Sequence, residues 1–123
     1  MPDTQFTETQ KAAVVSLLIE MMNVDGDVDP RERDEFNFIC AEYAISDDVY
    51  RIGRALNCII ALDIMKRMSD VQKIVVARLL TRMIDADAKD DDNEINLFNI
   101  ICDQTGVSAI ISAMETGDAQ GGQ

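Results

Sequence analysis

The residues best placed to do chemistry are carboxylates, gathered in two acidic turns. The first reads Met21-Met22-Asn23-Val24-Asp25-Gly26-Asp27-Val28-Asp29-Pro30-Arg31-Glu32. The second, 62 positions later, reads Met83-Ile84-Asp85-Ala86-Asp87-Ala88-Lys89-Asp90-Asp91-Asp92-Asn93-Glu94. Asp25, Asp27, Glu32, Asp87 and Glu94 are the candidate metal ligands, since hard oxygen donors suit a divalent cation such as Ca²⁺ or Mg²⁺. The register is not that of an EF-hand. With Asp25 at its first position, Pro30 falls where that loop requires Gly, and Phe36 where it requires the bidentate Glu. Zinc is disfavoured because the chain has no His and its three Cys are not spaced as ligand pairs.

Helical spacing aims these side chains inward. Leu18, Met21 and Asp25 are separated by three and four positions, so Asp25 extends the apolar stripe of one helix. Glu32 shares a face with Phe36 and Ile39 on the next, and the second copy repeats both patterns with Leu80, Met83 and Asp87, then Glu94, Phe98 and Ile101. A carboxylate at the inner end of a core face must find a donor, a cation or a proton. Three answers fit. The carboxylates can cap helix starts, as Asp29 and Asp91 are placed to do. They can hold a hard cation, or they can pair with a basic residue of the middle segment, such as Arg78 or Arg82.

The elements that position them are all helices. Thr7 with Gln10 has capping-box spacing for a first helix running to about Asn23, with Val14, Leu17, Leu18 and Met21 as its stripe. Asp29-Pro30-Arg31-Glu32 starts a second helix, Pro30 to about Tyr43, burying Phe36, Ile39 and Cys40. Ser46 caps a third. Gly53 and Asn57 divide the middle, leaving a fourth helix from Ile59 to Met68. Ser69 and Asp70 cap a long fifth helix, and Asp91 with Glu94 starts a sixth burying Phe98, Ile101 and Cys102. Gly106 stops it, and Ser108 caps a short last helix through about Met114. Residues 115–123 are small and polar and are expected to be disordered.

The turns belong to a longer duplication. Residues 14–46 align with 76–108 without a gap, and twelve of the thirty-three positions are identical. Average residue usage predicts about two. The matches include Asp25/Asp87, Asp29/Asp91 and Glu32/Glu94, which helical periodicity alone does not explain. The expected fold is an all-α, compact bundle of about seven helices, one domain over residues 1–114, built from two helix-turn-helix repeats related by a pseudo-twofold axis.

The Asp-Gly turn at Asp25-Gly26, the downstream Glu32 and the following Phe36 and apolar helix resemble the tellurite-resistance TerB family and its relatives. Among those relatives is the N-terminal domain of some membrane-bound DnaJ-like co-chaperones. The resemblance spans residues 10–114 by the repeat. It implies an all-helical duplicated domain whose acidic residues bind metal, in a stress-related setting. The second copy departs from the family pattern, with Ala88 where Gly is favoured.

Composition narrows the function. The net charge of −12 opposes a nucleic-acid backbone. It is unevenly spread. Residues 1–46 hold ten acids and three bases, 47–82 four and seven, and 83–123 nine and one. The basic middle either forms one pole of the surface or neutralises the repeats from within. No apolar run reaches the ~20 residues of a membrane span. The N-terminal sequence has neither the basic start nor the apolar core of a signal peptide, and the odd number of Cys fits reduced thiols, so a cytoplasmic location is expected. With no His, no Gly-rich phosphate loop and no nucleophile elbow, an enzyme is not expected. The sequence reading is a non-catalytic binding or scaffolding module responsive to metal, with an unidentified protein partner. The alternative is a protein-interaction module using a charge-segregated surface, with purely structural turns.

Overall fold

A computed structural model describes residues 5–24, 26, 28–86 and 92–121, the stretch 116–121 by backbone only. The described residues form seven helices and no strand: α1 (Glu8–Asn23), α2 (Pro30–Glu42), α3 (Asp47–Ala55), α4 (Cys58–Lys66), α5 (Asp70–Ala86), α6 (Asp92–Thr105) and α7 (Val107–Gly121). No single one is long and apolar enough to cross a membrane.

Helix α1 is the centre of the bundle. Every residue from Ala12 to Leu18 is buried, so the helix has no solvent face over that stretch. A helix apolar on all sides must be covered on all sides, and α3, α4 and α5 pack around it. The stripe Val14, Leu17, Leu18 and Met21 is buried as expected, together with Ala12, Ala13, Val15 and Ser16. The polar exception, Ser16, donates its hydroxyl to the Leu56 carbonyl at 3.2 Å, which satisfies it.

Capping sets most helix starts. Thr7 and Gln10 form the expected box at α1, and Ser69 with Gln72 forms the same box at α5. These four residues are 62 apart in pairs, and the two glutamines meet: Gln72 Nε2 donates to Gln10 Oε1 at 3.0 Å. The helices repeat at the same offset, α1 with α5, α2 with α6 and α3 with α7. Burial repeats too, with Leu18/Leu80, Met21/Met83 and Ile39/Ile101 all fully enclosed. Helix α2 packs on α5 more than on α1, so the first half closes on the second. Helix α4 has no counterpart and fills the space between α1 and α6.

Four expectations need correction. Gly53 does not divide the middle segment. It lies inside α3 at a close helix crossing, where a Cβ would stand 2.6 Å from Val15 Cβ and 2.7 Å from the Ala12 carbonyl. The break comes at Leu56 and Asn57, where the Asn57 side chain accepts the Ile59 N–H at 2.7 Å and starts α4 at Cys58. Ser108 caps nothing. Its hydroxyl donates to Asp103 Oδ1 at 2.7 Å, and α7 begins one residue earlier, at Val107. That helix runs past Met114, its expected end, to Gly121. Cys40 and Phe98 are only half-buried.

The helix stop at Gly106 is as expected, with φ at +89°. Its repeat partner is Ala44, which takes φ +53° after α2, a left-handed conformation disfavoured by about 1–2 kcal/mol for a residue with a Cβ. Ala44 is exposed, so replacing it removes no packing. Ala44→Gly is therefore expected to stabilise the domain by about 0.5–1 kcal/mol, read as a higher urea midpoint at unchanged slope. A lower midpoint would contradict this assignment of strain.

Candidate functional site

Each acidic turn ends one central helix and begins the next. At the first, Gly26 adopts φ +80° and its N–H donates to the Asn23 carbonyl at 2.9 Å, turning the chain out of α1. Asp29 then caps α2. Its Oδ1 accepts the Arg31 N–H at 2.8 Å, while Glu32 Oε1 accepts the Asp29 N–H at 3.4 Å, completing the box around Pro30 at the first helical position. The capping answer thus applies to Asp29 and to one oxygen of Glu32. Asp91, its expected counterpart at α6, lies outside the described residues.

Burial separates Glu32 from an ordinary cap. Glu32 is 0% exposed and Glu94 1%, the two buried acids at equivalent positions in the first turns of α2 and α6. Gln10 and Gln72, which make the same capping contact at α1 and α5, are neutral and only half-buried. A cap does not require a charged side chain to be removed from water; Glu32 does both. The helix N-terminus favours a carboxylate by about 0.3–1 kcal/mol, and Glu32 also accepts the Asp29 N–H.

Of the five candidate ligands, Glu32 and Glu94 are placed by the structure, and Asp25, Asp27 and Asp87 lie outside the described residues. Among the described residues, no three acidic or thiol side chains converge in a way that would ring an ion. Arg82, one of the two basic partners considered, is committed elsewhere. It bridges α5 to α2 with Nε donating to Glu35 Oε2 at 2.7 Å and a terminal nitrogen donating to Glu42 Oε1 at 3.0 Å, beside the Phe38 ring. Partial burial works against its charge, but the hydrogen bonds to Glu42 and Glu35 outweigh that and raise its pKa. Arg78 is exposed. For Arg82 at least, the basic middle segment neutralises the acidic repeat from within the fold.

Sequence reasoning missed a groove of about 550 Å³ beside the first turn, between the end of α1, α2 and the start of α3. Met22, Phe36, Cys40 and Tyr50 are among its apolar lining, and Arg33, Asn37, Asp47 and Arg54 among its polar lining. The signal was faint: it lies in where α3 packs, which no local pattern gives.

No family model and no curated protein matches the chain. Among solved structures, the fold is similar to that of a protein of unknown function from Porphyromonas gingivalis W83. The TM-score is 0.73 at 22% sequence identity, over 86% of this chain and 83% of that one. The likeness establishes a shared helical architecture.

The three thiols are shielded. Burial raises the pKa of Cys40; burial and then Glu20 raise that of Cys58; burial and then Asp103 raise that of Cys102. A raised thiol pKa means less thiolate at neutral pH, and the thiolate is the nucleophile. Iodoacetamide should therefore modify the native protein slowly at pH 7.5, with the buried Cys102 slowest, and all three sites much faster in urea. Because the folded pKa values lie above the unfolded ones, the stability they carry is present at neutral pH and declines as pH rises through the alkaline thiol range. Rapid native alkylation at pH 7.5, followed by mass spectrometry, would contradict this.

Proposed function

We propose that this chain is a non-catalytic, TerB-like binding or scaffolding domain that responds to a divalent cation through its duplicated acidic turns. The observation that carries the reading is the complete burial of Glu32 and Glu94 at equivalent helix starts. The turns that lead into them contain Asp25, Asp27 and Asp87, further hard oxygen donors. A cation bound at the turns would add positive charge beside these carboxylates, and its release would favour loosening of the turns, which is a route from metal to partner binding. The stress-related setting follows from the resemblance of the Asp25–Phe36 motif to the TerB family, and the absence of catalysis from a sequence with no His, no Gly-rich phosphate loop and no nucleophile elbow.

Calorimetric titration of chelator-stripped protein with Ca²⁺, Mg²⁺ and Mn²⁺ tests this. Binding below millimolar concentration is expected for at least one ion, and the combined Asp25→Asn and Glu32→Gln variant should weaken it tenfold or more. Absence of submillimolar binding, or binding indifferent to that variant, rejects the reading.

A second reading is favoured by Arg54, Lys66 and Arg78, exposed bases of the middle segment in a chain of net charge −12. They suit a protein-interaction module in which the turns serve structure alone. That reading expects a partner captured from lysate whose retention falls between low and high salt, with no change in the Asp25→Asn, Glu32→Gln variant. A salt-insensitive partner, or loss of capture in the variant, counts against it.

A further inference from the structure

We propose that the groove between α1, α2 and α3 binds a small amphipathic anion, an alkyl or aryl body carrying a carboxylate or phosphate head. The proposal is independent of the cation reading. Its volume, about 550 Å³, lies within the ~300–1,000 Å³ range of small-molecule sites, which combine an apolar lining with a few placed polar groups. Met22 and Phe36 are buried, while Ile19, Cys40 and Tyr50 are half-buried, leaving apolar surface on which a hydrocarbon body can lie.

The charge of the lining selects the head. In a chain of net charge −12, the groove has two arginines, Arg33 and Arg54, and one acid, Asp47, among its described lining residues. Neither arginine makes an ion pair among the described residues, whereas Arg51, Arg67 and Arg82 all do. A guanidinium at the mouth of an apolar groove is suited to a planar or tetrahedral anion.

The duplication supplies an internal control. Phe36, Asn37 and Cys40 recur as Phe98, Asn99 and Cys102, as a shared scaffold requires. At the same offset Arg33 becomes Ile95, Arg54 becomes Thr116, Tyr50 becomes Ser112 and Asp47 becomes Ala109. The duplicated architecture therefore does not require the groove's polar equipment, and both arginines are exposed and contribute little to the core.

The test is calorimetric titration of the full chain, in chelator, with decanoate and decyl phosphate. Acetate, inorganic phosphate and decyltrimethylammonium serve as controls. Both alkyl anions should bind below millimolar concentration, and the controls at least tenfold more weakly. Arg33→Gln with Arg54→Gln should weaken decanoate tenfold or more with an unchanged melting curve, and Asp47→Asn should strengthen it a few-fold. Saturating decanoate should slow alkylation of Cys40 but not of Cys58. Equal affinity for decyltrimethylammonium, indifference to the double arginine variant, unprotected Cys40, or no submillimolar binding of either alkyl anion would each overturn the proposal. The chelator keeps this outcome separate from that of the metal titration.

Discussion

A carboxylate moved out of water must be met by something of opposite character, and among its described residues this bundle moves two of them out. Glu32 and Glu94 sit fully enclosed at the starts of α2 and α6, where helix N-termini give part of the compensation. Much of the geometry follows from holding them there. Each turn must end a central helix, bring an acid inward within a few residues and start the next helix with its first N–H groups satisfied. Asp29, Pro30 and Glu32 meet all three demands at the first turn. Phe36 and Ile39 then continue the same face into the core.

The second constraint is α1. Because it is apolar on every side from Ala12 to Leu18, it cannot lie on the surface of a two-helix layer, and α3 and α4 enclose it. Gly53 permits α3 to approach closely. These demands break the equivalence of the halves: α5 occupies the position of α1 in the repeat, yet carries Lys73 and Arg78 and is less enclosed. The halves remain joined through equivalent residues at Gln10 and Gln72, and through Arg82, which ties α5 to two acids of α2.

The architecture was legible wherever a local rule governed it. Thr7, Asp29 and Ser46 cap as their spacing demands, Gly106 turns left-handed, and the 62-residue offset places α6 relative to α2. The inward register of Glu32 and Glu94 followed from the faces they share with Phe36 and Ile101. What local rules did not give was tertiary. Gly53 reads as a breaker by composition, but close packing decides its role. Ser108 has cap chemistry, but Asp103 is nearer to hand. Arg82 was considered for the acidic turns, but α2 brings it to Glu35 and Glu42. The groove lies where α3 packs on α1 and its Tyr50 meets Phe36 of α2, contacts with no sequence signature.

The most direct measurement is anomalous diffraction from crystals grown with Ca²⁺ or Mn²⁺. If the buried glutamates serve a cation, an anomalous peak will lie within coordinating distance of a Glu32 or Glu94 carboxylate oxygen, about 2.3–2.6 Å for Ca²⁺. Neighbouring turn aspartates should complete its oxygen shell. Both carboxylates hydrogen-bonded to protein donors alone, with no ion density at either turn at saturating metal, would contradict the account.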